Sequence, residues 1–192
     1  MGGKNNEFLR TLWHASKTLH PPILPSFSKF AAYNSMKLHF WSIGKAHEEY
    51  VKEGIAMFSK RIANYYSIEW KIIPPPKNAA SLPQEDLKKA EGDSVLSILH
   101  TTDHLVLLDE KGKYFTSEQL ATFIQVKADA SIKNLVFLIG GAYGVSDPVK
   151  KRAGTIWSLS PLVFPHQLVR LILAEQVYRA CTIQRNEKYH HS

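Results

Sequence analysis

The sequence holds a single cysteine, Cys181, so no internal disulfide can form and a reducing, cytosolic-type compartment is expected. Its neighbours Val177, Tyr178, Ala180 and Ile183 predict a small buried hydrophobe rather than a catalytic thiol. No stretch approaches the roughly 18 consecutive apolar residues of a membrane span. The richest runs, 135–141 and 171–174, have the length of core elements. Neither G-x-G-x-x-G nor G-x-x-x-x-G-K-[ST] occurs, which removes support for a nicotinamide enzyme or a P-loop ATPase. The G-x-S-x-G elbow of many serine hydrolases is also missing. Nine histidines are present without H-E-x-x-H or a cysteine pair, and His100 and His104 straddle an expected helix end and strand start, so no metal site is expected.

What remains is the composition of a folded domain. The chain has 192 residues, 44% hydrophobic and 21% charged, enough for one compact domain with an appendage. The formal charge of +7 is uneven. Residues 36–149 carry 13 basic and 14 acidic side chains, whereas 150–192 carry seven basic and two acidic ones. Lys150, Lys151, Arg152, Arg170, Arg179, Arg185 and Lys188, with His190 and His191, suit either a phosphate-facing surface or a solvated basic face.

The first 35 residues lack sustained periodicity, hold Pro21, Pro22 and Pro25, and contain one acid, Glu7. They read as an organellar transit peptide, an upstream extension, or a leader foreign to the folded unit, and the last is preferred because Met36 looks like a natural start. Residues 36–192 form the expected domain.

From Met36 the hydrophobic period alternates between two and 3.6. Strands are expected at 37–43, 68–73, 104–109, 134–139 and 155–159. Between them, Val51, Ile55, Phe58, Ile62 and Tyr65 paint one stripe on a helix over 46–66. Ser81 with Gln84, and Thr116 with Gln119, show capping-box spacing and open two further helices, the first weakened by Gly92. A short basic helix precedes the fifth strand, and 165–184 closes the chain as a long helix. The fold class is therefore α/β, a mostly parallel sheet flanked by helices.

In such sheets ligands bind beyond the carboxyl ends of strands. Three ends carry notable residues: Leu108 with Asp109 to Lys113, the cluster GGAYG at 140–144, and the irregular segment 159–167. Together they can form one cleft.

Three motifs, IGGAYG at 139–144, LSPLVFPHQLVRLILAEQVYRA at 159–180 and KYHH at 188–191, resemble the ribosomal large subunit methyltransferase H family of the SPOUT class. The resemblance spans 36–191. It implies a C-terminal trefoil knot, a cytoplasmic homodimer, S-adenosyl-L-methionine as cofactor, and methylation of N3 of a pseudouridine in helix 69 of 23S rRNA on assembled ribosomes, with no membrane or metal partner. Carried over by motif, the cofactor positions are Leu108, Gly140, Leu159, Ser160, Pro161, Leu162, Val163 and Phe164. Tyr189, His190, Arg179 and Arg170 are the catalytic or substrate-contacting candidates, with His166 a further possibility. Leu168, Ile172, Ala174 and Val177 suit either core or dimer interface. Competing readings are a SPOUT enzyme for tRNA or another rRNA base, a non-catalytic RNA-binding module, and a small-molecule nucleotide-binding protein.

Overall fold

The computed structural model describes residues 35–189. The leader, apart from Ser35, and His190 and His191 lie outside the described residues. Five parallel strands form one sheet in the order β2-β1-β4-β3-β5: β1 (Lys37–Ile43), β2 (Ser67–Ile73), β3 (His104–Tyr114), β4 (Asn134–Ile139) and β5 (Thr155–Ser158). The helices are α1 (Glu49–Ile62), α2 (Gln84–Ile98), α3 (Ser117–Asp129), α4 (Asp147–Arg152) and α5 (His166–Gln184).

Alternate residues of each strand face opposite ways, so the sheet feeds two cores. Leu38, Phe40, Val106, Leu135 and Phe137 face Leu120 and Ile124 of α3 and Leu173, Val177 and Cys181 of α5. Trp41, Leu105, Leu107, Val136 and Leu138 face Val95 of α2 and Val149 of α4. Burial on both faces explains why β3 and β4 read as continuous apolar runs. Cys181 is fully buried, and burial pushes its thiol pKa up, as expected of a packing residue. Ala174 and Val177 belong to this core, whereas Leu168 is partly exposed.

Several boundaries differ from the sequence expectation for identifiable reasons. Helix α1 starts later than 46 because the chain before it is tied to α5: Gln167 Nε2 donates to the Ala46 carbonyl and Gln167 Oε1 accepts from Glu48 N–H. It stops at Ile62, where Asn64 and Tyr65 donate to carbonyls three residues back, a tightened final turn. The Thr116–Gln119 capping box forms in both directions. The Ser81–Gln84 box does not. Residues Ala79–Ser81 make a 3₁₀ turn in which Ser81 Oγ donates to the Asn78 carbonyl, and Pro83 occupies the N-cap of α2. Gly92 sits inside an unbroken helix because a side chain there would overlap Ser146, whose Cβ is 3.1 Å from the Cβ position. Strand β3 runs five residues past Asp109; its pairing with β5 shifts register between Leu108 and Lys113, and Gly112 lies where a Cβ would stand 2.7 Å from Trp157 backbone.

Candidate active site

Beyond the carboxyl ends of β3, β4 and β5 the three segments singled out in the sequence meet around one cavity of about 480 Å³. Leu108, Ile139, Trp157 and Val169 supply apolar wall, while Ser158 and Ser160 are among its polar lining. Of the cofactor candidates, Leu108, Gly140, Leu159, Ser160, Leu162, Val163 and Phe164 line this space, and Pro161 does not. Leu162 and Val163 are 68% and 82% exposed, so they form rim rather than wall. Their loop is held locally: Ser158 Oγ donates to the Ser160 carbonyl at 3.0 Å, and Ser160 Oγ accepts from Leu162 N–H at 3.0 Å. Across the mouth, Lys150 Nζ lies 3.4 Å from Asp109 Oδ2.

The glycines at the end of β4 serve different ends. Gly144 has φ +80° and closes a turn by donating to the Gly141 carbonyl at 2.9 Å, and nothing lies within 4 Å of its Cβ position. A side chain on Gly140 would meet Val145 Cγ1 at 2.9 Å, so its glycine is required by the loop's own packing. A methyl on Gly141 would overlap the carboxyl group of Glu91, 2.9 Å from its Cδ. Glu91, on α2, is buried, and that burial raises its carboxyl pKa above the ordinary range.

The catalytic candidates fall in two places. His166 opens α5 and lines the cavity; burial first, then the charge of Arg170, holds its pKa down, so it is neutral near pH 7. Arg170, one turn later, does not line the cavity. It is fully buried and turns toward the end of β1, donating through Nε to Ser42 Oγ at 2.8 Å. Arg179 lies about 20 Å further along α5 than His166, at 1.5 Å rise per residue, and Tyr189, past the end of the helix, packs back onto that stretch. There Arg179 Nε donates to Glu175 Oε1 at 3.0 Å, Tyr189 Oη donates to the same oxygen at 3.3 Å, and the guanidinium sits 5.0 Å from the Tyr189 ring centre. Tyr178 packs edge-on against Tyr189 at 4.7 Å, and the guanidinium of Arg61 of α1 lies 5.5 Å from the Tyr178 ring centre. Burial, then Glu175, raises the Tyr189 phenol pKa. Within one copy, therefore, the Arg179–Tyr189 group is separate from the cavity.

Two cations of the basic C-terminal set are tied to protein groups rather than freely solvated: Arg170, through Nε and Nη1, and Arg152, whose Nη2 donates to the carbonyls of His100 and Asp103 at 2.7 and 2.9 Å. Sequence reasoning also missed Glu91, Lys88 and Val169 beside the site. The one available signal was Gly92, a glycine within a helical pattern, which marks where α2 presses on the glycine loop.

A family model described as "Predicted SPOUT methyltransferase" matches residues 36–190. The chain belongs to the SPOUT methyltransferase family. Ribosomal RNA large subunit methyltransferase H of Cytophaga hutchinsonii is 49% identical over 156 residues, covering 81% of this chain and 100% of that protein. The proteins of the same name from Parabacteroides distasonis and Trichlorobacter lovleyi are 45% and 41% identical over 156 residues, again covering 81% of this chain and 99% and 100% of theirs. Within the SPOUT family the chain thus groups with the methyltransferase H proteins.

The cavity suits the methyl donor that the family resemblance implies. Its volume lies within the roughly 300–1,000 Å³ of small-molecule sites. An apolar wall, two serines and unhindered backbone at Gly144 offer what an adenosine-sized group needs. No group of three or more His, Cys, Asp or Glu among the described residues is arranged to hold a metal. No helix of the described residues is long and apolar enough to cross a membrane.

Proposed function

We propose that this protein methylates rRNA, transferring a methyl group from S-adenosyl-L-methionine to N3 of a pseudouridine in helix 69 of 23S rRNA on assembled ribosomes. The observation that carries this reading is the 49% identity to a ribosomal RNA large subunit methyltransferase H across that protein's whole length. The cavity at the β3, β4 and β5 ends supports it, since two of the three segments bearing family motifs, 139–144 and the start of 159–180, meet there.

The bound cofactor would supply a methyl group already electrophilic on its sulfonium. Leu108, Ile139 and Trp157 would flank the adenine, Gly140 and 159–164 would offer backbone donors and acceptors, and the rim of Leu162 and Val163 would keep water from the methyl. The protein's remaining work is alignment and help in removing the imide proton. Arg179, oriented by Glu175 and set against Tyr189, is suited to stabilise the negative charge left on the target base. Because this group lies far along α5 from the cavity of its own copy, we assign it to the cavity of a second copy in a homodimer. The exposed Leu162, Val163, Leu168, Tyr50 and Met57 are available to such an interface. The family's C-terminal trefoil knot and a cytoplasmic location, where ribosomes are met, belong to the same reading. His190 would join Tyr189 at the substrate.

Methyl transfer from labelled cofactor tests the substrate. The full chain is offered assembled ribosomes, free 23S rRNA and tRNA in parallel. Label on ribosomes supports the reading. Label confined to tRNA replaces the substrate, and cofactor binding without label on any RNA turns the protein into a non-catalytic module.

A further inference from the structure

Arg170 is only 1% exposed, yet no carboxylate among the described residues lies within ion-pair distance of it. Its partners are neutral. Nε donates to Ser42 Oγ at 2.8 Å, and Nη1 donates to Gln167 Oε1 at 3.3 Å and His47 Nδ1 at 3.4 Å. Burial and the Arg170 charge hold the His47 pKa down, which leaves its ring neutral and able to accept. The acid whose charge acts on Arg170 is Glu48, an exposed residue outside ion-pair distance, whose own N–H is bonded to Gln167. Among the described residues Nη2 has no acceptor, and it faces Gly44, lying 3.6 Å from the position its Cβ would take. With φ +129°, Gly44 keeps that space free of a side chain. A buried guanidinium satisfied on two nitrogens, open on the third and lacking a counter-charge is one half of an ion pair.

Its position suits an anion. The chain leaves β1 toward β2 on one side, while it leaves β4 across β3 to β5 on the other, so the adjacent ends of β1 and β4 flank the point where strand order reverses. The N-termini of α1 and α5 are joined here through the Glu48–Gln167 bond and bring two positive dipole ends, with exposed Lys45 beside them. Across the same turn of α5, His166 and Val169 face the cavity, whereas Gln167 and Arg170 face this loop.

We infer that Arg170 Nη2, with Lys45 and the 44–47 loop, binds a phosphodiester of the RNA strand beside the nucleotide that enters the cavity. The inference rests on the proposed RNA substrate. A cofactor filling the cavity lies on the other side of the α5 turn, so a backbone phosphate, which must pass outside the cavity, is the anion in reach.

The test compares wild type, Arg170→Lys, Arg170→Met and Lys45→Gln for cofactor binding and for ribosome binding at several salt concentrations. Arg170→Met is expected to weaken ribosome binding about tenfold and reduce the salt slope by about one, with Lys45→Gln adding a smaller loss. Arg170→Lys keeps much of the slope, and cofactor affinity stays unchanged. A folded Arg170→Met with wild-type ribosome affinity and slope overturns the inference, as does loss of cofactor binding with ribosome binding intact. Should Arg170→Met fail to fold, the ¹⁵N signal of the Arg170 side chain decides in wild type: it must shift saturably when a short single-stranded RNA is added, and no shift overturns the site. Absence of ribosome binding by wild type sinks the proposed function and this inference together, whereas failures confined to the variants sink the site alone.

Discussion

Glu91 and Gly141 touch across the boundary between α2 and the glycine loop: a methyl on Gly141 would stand 2.9 Å from Glu91 Cδ and closer still to Oε2. The loop that rims the cavity is therefore braced from behind by a buried carboxyl group.

Gly141→Ala should displace this brace. Overpacking of this kind costs about 1–3 kcal/mol, and the rim must move with it. Thermal melting should fall by several degrees and cofactor affinity by about tenfold. Glu91→Ala makes room, so the double variant should recover part of both losses. Strict additivity of the two variants would show that the contact does not govern the loop.

The raised Glu91 pKa gives stability a pH dependence of known sign. Between the ordinary carboxylate pKa and the higher native value, the native state binds more protons than the unfolded one, so the Glu91 contribution is full below the ordinary value and is lost as pH rises through the native one. Glu91→Gln cannot ionise. Relative to wild type it should gain stability in urea unfolding as pH is raised from 4 to 8, and an unchanged difference across that range would contradict the assignment.

Tyr189→Phe should lower methyl transfer by about tenfold or more while leaving cofactor binding intact, because the phenol acts at the substrate. If the tail of one copy serves the cavity of another, mixing Tyr189→Phe with Gly141→Ala subunits should restore activity to one site of each mixed dimer. No restoration after verified subunit exchange would place the tail at its own cavity.

Thr116→Ala removes the hydroxyl that accepts from Gln119 N–H at 3.2 Å. The expected loss is about 1 kcal/mol of stability, with cofactor affinity unchanged. A loss well below half of that would mean water replaces the cap.

The elements readable from sequence were those whose cause is local. The apolar stripe of α1 from Val51 to Ile62, the continuous apolar runs of β3 and β4, and the Thr116–Gln119 box appear in the structure as expected. The misread features depend on partners distant in sequence. Gly112 yields to the backbone of Trp157, and the start of α1 is fixed by Gln167, 121 residues from Ala46; Ser81 is the local exception, its hydroxyl bonding the carbonyl of Asn78 three residues back. The same holds at the site. The three strand ends announce themselves by glycines and broken periodicity, but nothing local says that Arg170 turns away from the cavity or that Arg179 and Tyr189 pair through Glu175, midway along α5.

The central claim is the modified atom. Ribosomes treated with the full chain and labelled S-adenosyl-L-methionine should yield, on complete nuclease digestion and mass spectrometry, label in N3-methylpseudouridine from helix 69. Label in any other nucleoside, or in pseudouridine from elsewhere in the RNA, would contradict the account.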